Sequence, residues 1–152
     1  MRFTDLLRPD SIVADLRVTS RHALLEALAR LVAPAGADLA VLEALTEREA
    51  LGSTALGNGI ALPHGRCAEL DEPAGAFVRL ARPIAFGTDG GPPVDLVAAL
   101  VTPTHFTAAH LSLLADIATR ASDRASVERL RQAPDSAALR AELAKWGPPN
   151  PA

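Results

Sequence analysis

Tyrosine is absent, and cysteine, methionine and tryptophan occur once each, so aromatics make up only 3% of a chain that is 49% hydrophobic. The core must therefore be built from Leu, Val, Ile and Ala packed in layers. The lone Cys67 excludes an internal disulfide and suits a reducing compartment. No apolar run reaches the ~18 residues of a membrane span, and the opening MRFTDLLRPD lacks the apolar centre of a signal peptide. The expected location is the cytoplasm, with no membrane partner. Basic runs are also missing: 15 Lys and Arg against 18 Asp and Glu leave a net charge of −3. Nucleic acid, which needs a positive footprint, is not an expected partner.

What is present fits one domain of 152 residues with no internal repeat and no linker-like interior. The domain is expected over 1–146, with GPPNPA at 147–152 as a flexible tail. Ser11 to Leu16 reads as a strand. Thr19 or Ser20 offers a helix N-cap, with Ala23, Leu24, Leu28, Leu31 and Val32 at helical spacing until Pro34 and Gly36. Asp38 is the expected cap of a second helix whose face carries Leu39, Leu42 and Leu45 and which Gly52 terminates, placing Arg48 and Glu49 in its last turns.

Ala74–Leu80 and Val94–Val101 are apolar runs between Pro/Gly clusters, the pattern of strands covered by helices, and ARPIAFGTDGGPP between them is too rich in turn residues for a helix. Thr107 is the expected cap of a third helix with an apolar stripe of Leu111, Leu114, Ile117 and Ala118, which puts His110 in its first turn. Two more helices, Ser126–Ala133 and Ser136–Trp146, are separated by Pro134. Strands mixed with helices in this order predict an α/β layered architecture.

The stretch GSTALGNGIALPHGR, Gly52 to Arg66, concentrates the chemistry. Gly52, Gly57, Gly59 and Gly65 let backbone approach a ligand closely, and amides of Gly57, Asn58, Gly59 and Gly65 are candidates to bind phosphate. Between Pro63 and Gly65, His64 is held where a ring can stay open to solvent. The segment lacks the Lys-Ser/Thr ending of a P-loop and the third glycine of a dinucleotide fingerprint. Ser53 lacks the frame of a hydrolase elbow, and Cys67 with His64 makes neither a zinc site nor, without an orienting third group, a thiol nucleophile.

A neutral imidazole needs no separate base to attack phosphorus. It needs orientation and donors for the oxygens, and the guanidinium of Arg48 matches those oxygens. Each residue also has an ordinary reading: His64 as a hydrogen-bonded loop histidine, Arg48 as a solvated helix charge, His110 as a helix-end ring packed on the core. His22 and His105 have no motif around them.

The segment from Arg48 to Arg66, together with PVDLVAALVTP and the histidine of AHLSLLADIA, resembles the IIA domains of the bacterial phosphoenolpyruvate-dependent phosphotransferase system, mannitol/fructose class, over roughly residues 3 to 145. Within that class it looks most like the nitrogen-regulatory type. The resemblance implies a three-layer α/β/α sandwich with a mixed sheet. It implies His64 as phosphoryl acceptor, with Arg48 and His110 beside it, and neither cofactor nor metal. A small histidine phosphocarrier would be the donor and regulated proteins the targets. A sugar-specific component passing phosphate to a IIB cysteine is the alternative. Ala55 stands where the family commonly has glycine, and His105 has no family role.

Overall fold

The computed structural model describes residues 1–87 and 91–146. The expected tail at 147–152 and positions 88–90 of the turn-rich segment lie outside them. Two 3-10 turns, Phe3–Leu6 and Pro9–Ser11, lead into β1 (Ile12–Leu16), α1 (Arg21–Val32) and α2 (Asp38–Ala50). Three short strands follow, β2 (Ala55–Gly57), β3 (Ile60–Ala61) and β4 (His64–Arg66), then the long β5 (Ala74–Ile84) and β6 (Val94–Thr102). Helices α3 (Thr107–Ala121), α4 (Arg124–Gln132) and α5 (Ser136–Ala144) complete the described chain.

The sheet order is β1-β5-β6-β3-β2, with β4 also on β6. It is mixed: β1 runs parallel to β5, β3 and β4 run parallel to β6, while β5–β6 and β2–β3 are antiparallel. Strand β6 and the first seven residues of β5 are mostly apolar because both of their faces are covered, whereas Ala81, Arg82 and Pro83 of β5 are exposed. The side chains alternate. Ala76, Val78, Val97, Ala99 and Val101 pack with the α1/α2 layer, whereas Phe77, Leu96, Ala98 and Leu100 pack with α3, α4 and α5. Two cores on opposite faces of one sheet give the three-layer α/β/α architecture. Phe3, Phe77, Phe86 and Trp146 are all buried, so four of the five aromatics are spent inside, and Phe106 is half-buried.

Local signals set most boundaries. Ser20 caps α1 by accepting from the Ala23 amide, and Asp123 and Asp135 cap α4 and α5 in the same way. Two caps differ from expectation. Asp38 and Thr107 are the first residues inside their helices, and neither Ala37 nor Phe106 before them supplies a side-chain cap.

Two stripes also differ. On α2 the buried face is Val41, Leu45 and Glu49 while Leu39 is exposed, and on α3 it is His110, Leu113, Ile117 and Ala121 while Leu111 is exposed. In both helices several leucines compete for the core, and the docking angle on the sheet selects the set. The strand read at 74–80 continues through Arg82 and Pro83 to Ile84.

Candidate functional site

The glycine-rich segment is not one loop but three short strands, β3 and β4 laid along β6 and β2 paired to β3. Ile60 faces Leu96, and His64 faces Leu100, so β3 and β4 keep one register along the same side of β6 with Pro63 at the break. The Leu100 amide closes that break by donating to the Pro63 carbonyl at 3.1 Å. At the carboxyl ends of β4 and β6, where α/β sheets open their crevices, His64 and Arg66 sit two apart on the strand. Alternation points both toward α3. Gly65 between them faces α2: an added Cβ would lie 2.9 Å from the Ala44 carbonyl oxygen. That glycine is required by helix packing.

His64 is half-buried, and its Nδ1 lies 2.7 Å from the Leu62 carbonyl oxygen. A carbonyl only accepts, so Nδ1 carries the proton and Nε2 keeps the lone pair. His110 stands across from it, with ring centroids 5.7 Å apart. It reaches that place because β6 ends at Thr102, a turn at Pro103 to Phe106 reverses the chain, and the first turn of α3 brings the ring back over the strand end. The His110 Nδ1 is 2.7 Å from the Thr102 hydroxyl.

Both rings resist protonation. Burial holds His64 below the ordinary histidine range and the Arg48 charge adds to this, while the bond to Leu62 opposes it. Burial, then the charge of Arg66 and the neighbouring His64, pushes His110 down to about 4. Arg48, in the last turn of α2, donates from Nη1 to the Gly52 carbonyl at 2.9 Å, which leaves the rest of its guanidinium without a partner among the described residues. Beside it Glu49 is buried, accepting from the Thr54 amide and hydroxyl; burial raises its pKa despite those bonds. This pairing fixes the turn that carries Arg48.

The family model described as phosphoenolpyruvate-dependent sugar phosphotransferase system, EIIA 2, matches residues 5–146. The chain belongs to this family. A nitrogen regulatory protein of Bradyrhizobium diazoefficiens is 41% identical over 146 residues, covering 95% of each chain. One from Pseudomonas aeruginosa is 40% identical over 143 residues, covering 91% of this chain and 92% of its own. Among solved structures, nitrogen regulatory protein IIA-Ntr of Neisseria meningitidis matches with a TM-score of 0.85 at 35% identity, over 92% of this chain and 97% of that one.

In this EIIA domain His64, Arg48 and His110 are therefore brought to one end of the sheet, together with Arg66 and Thr102. The sequence reading had passed over these last two. Arg66 was findable as the residue two beyond His64 on a strand. Thr102 was visible only as the polar end of an apolar run. The hairpin tip is elsewhere. Asn58 and Gly59, with φ of 56° and 75°, make the tight turn between β2 and β3. Extended chain from Asn58 to His64 spans roughly 20 Å.

That tip is clasped from the α3/α4 layer, the same layer that carries His110. Asn58 Nδ2 donates to the Ala121 carbonyl at the end of α3, and Arg131 bonds the Asn58 carbonyl while pairing with both oxygens of Asp95. His22 pairs with Glu26 at 3.2 Å, and His105 is exposed with its ring edge-on to Phe106 at 4.9 Å. Cys67 is buried. Among the described residues no cluster of three or more His, Cys, Asp or Glu side chains could hold a metal, and no helix is long and apolar enough to cross a membrane.

The low pKa of His110 has a measurable effect on stability. Below about pH 6.5 an unfolded chain binds a proton at this ring that the folded domain refuses until about 4. Its contribution is full above that window and is lost as pH falls through it, by up to about 2–3 kcal/mol. Glu49, whose pKa is raised, acts in the opposite direction. Denaturant unfolding at pH 7.5 and 4.5 is expected to show a smaller loss in His110→Gln than in the parent chain. An equal loss in both would contradict this.

Proposed function

We propose that this EIIA domain accepts a phosphoryl group on Nε2 of His64 from a histidine phosphocarrier and regulates partner proteins through its phosphorylation state. The observation that carries the reading is the bond from His64 Nδ1 to Leu62, which leaves Nε2 as an oriented, neutral nucleophile. The lone pair of Nε2 attacks phosphorus as the bond to the donor's ring nitrogen breaks. Positive charge that develops on the accepting ring is held through Nδ1–H at the Leu62 carbonyl. The guanidinium nitrogens of Arg48 not used on Gly52 meet the equatorial oxygens, and His110 flanks them. No proton has to leave for the new N–P bond to form.

Of the residues expected to bind phosphate, Gly65 adjoins His64, and Gly57, Asn58 and Gly59 hold the hairpin instead. The regulatory branch is favoured by the 41% and 40% identities to nitrogen regulatory proteins. Phosphoenolpyruvate, the first enzyme of the system and the phosphocarrier should together place one acid-labile, base-stable phosphoryl group on the protein. Captured partners should then differ between the phosphorylated and free forms. Rapid onward transfer to a purified IIB protein, with no such partner difference, would instead favour the sugar-transport reading.

A further inference from the structure

Thr102 ends β6 with no exposed surface, and its hydroxyl has one hydrogen-bond partner among the described residues, His110 Nδ1. Two arrangements of that bond are open to a neutral ring. If Nδ1–H donated to the hydroxyl oxygen, the threonine O–H would need a second acceptor. None is in reach among the described residues, and a buried donor left unmade costs about 1–3 kcal/mol. If the hydroxyl donates to Nδ1, the buried hydroxyl proton has its acceptor and the ring proton sits on Nε2.

His64 is fixed in the other sense, because the carbonyl of Leu62 can only accept. The two rings, 5.7 Å apart, therefore hold opposite tautomers: a lone pair on Nε2 of one and a proton on Nε2 of the other. We propose that Thr102 is a positioning residue that holds His110 in its Nε2–H form, so that this ring serves as a neutral donor to an oxygen of the phosphoryl group on His64. In the reverse tautomer a lone pair would oppose that oxygen and repel it. The donor role rests on the phosphoryl-acceptor reading above; the tautomer does not.

The test is nitrogen-15 NMR of the histidine rings in the full chain, with phosphorylation rates for Thr102→Val and Thr102→Ser. The parent protein should show His110 protonated at Nε2 and unprotonated at Nδ1. Thr102→Ser, which keeps the hydroxyl, should retain this form and a rate within about twofold. Thr102→Val should admit the Nδ1–H form and slow transfer on the order of tenfold, as expected for one lost hydrogen bond.

A parent spectrum with the proton on Nδ1 overturns the inference even if Thr102→Val does not fold. So does a valine variant unchanged in both spectrum and rate. Parent protein that takes up no phosphoryl group would defeat the functional reading and the donor role with it, while the spectrum still decides what Thr102 does.

Discussion

His64→Ala should take up no label from phosphoenolpyruvate, the first enzyme and the phosphocarrier, a loss limited only by detection. The substitution removes the one imidazole at this site whose Nε2 bears a lone pair, and His110 beside it is not an alternative acceptor if Thr102 keeps its Nε2 protonated. Folding is not at stake. The ring is half-buried, and its only hydrogen bond among the described residues runs to a carbonyl two residues away. A native circular dichroism spectrum with no label isolates the chemistry. Persistent labelling of the alanine variant would exclude His64 as the acceptor.

Arg48→Ala should slow the same transfer on the order of a hundredfold, the usual loss when one preorganised donor to a developing charge is removed. The guanidinium is tethered by one nitrogen to Gly52 and is close enough to His64 to lower its proton affinity. The variant makes a second, independent statement. Without that cation, His64 should titrate closer to the ordinary histidine range, a rise visible by NMR. Arg48→Lys keeps the charge but loses the fork, so it should restore the titration more fully than the rate. An unchanged rate in Arg48→Ala would remove the residue from the mechanism, and an unchanged titration would show that its charge does not reach the ring.

Much of the fold was legible because the signals were local. Ser20 before an apolar-periodic run, Pro134 between two helices and unbroken Val/Leu/Ala runs between Pro/Gly clusters each name an element without help from distant residues. The misplaced stripes on α2 and α3 were not legible for the opposite reason: Leu39 and Leu111 look as apolar as Val41 and Leu113, and only the sheet beneath chooses between them. The cap at Asp38 failed likewise, since Ala37 takes that position without a side-chain bond.

The sequence by itself determined that a histidine would be held between proline and glycine in a glycine-rich segment, with an arginine carried to its edge by the preceding helix. Only the tertiary structure decided where each glycine of that segment sits. Gly65 makes room for α2, and Asn58–Gly59 turn a hairpin that Arg131 and Asp95 clasp at the far end of β6. It also decided the protonation of the two rings, because a tautomer depends on what the other nitrogen touches. Leu62 is two residues from His64, but Thr102 reaches His110 only after the chain has reversed from strand to helix.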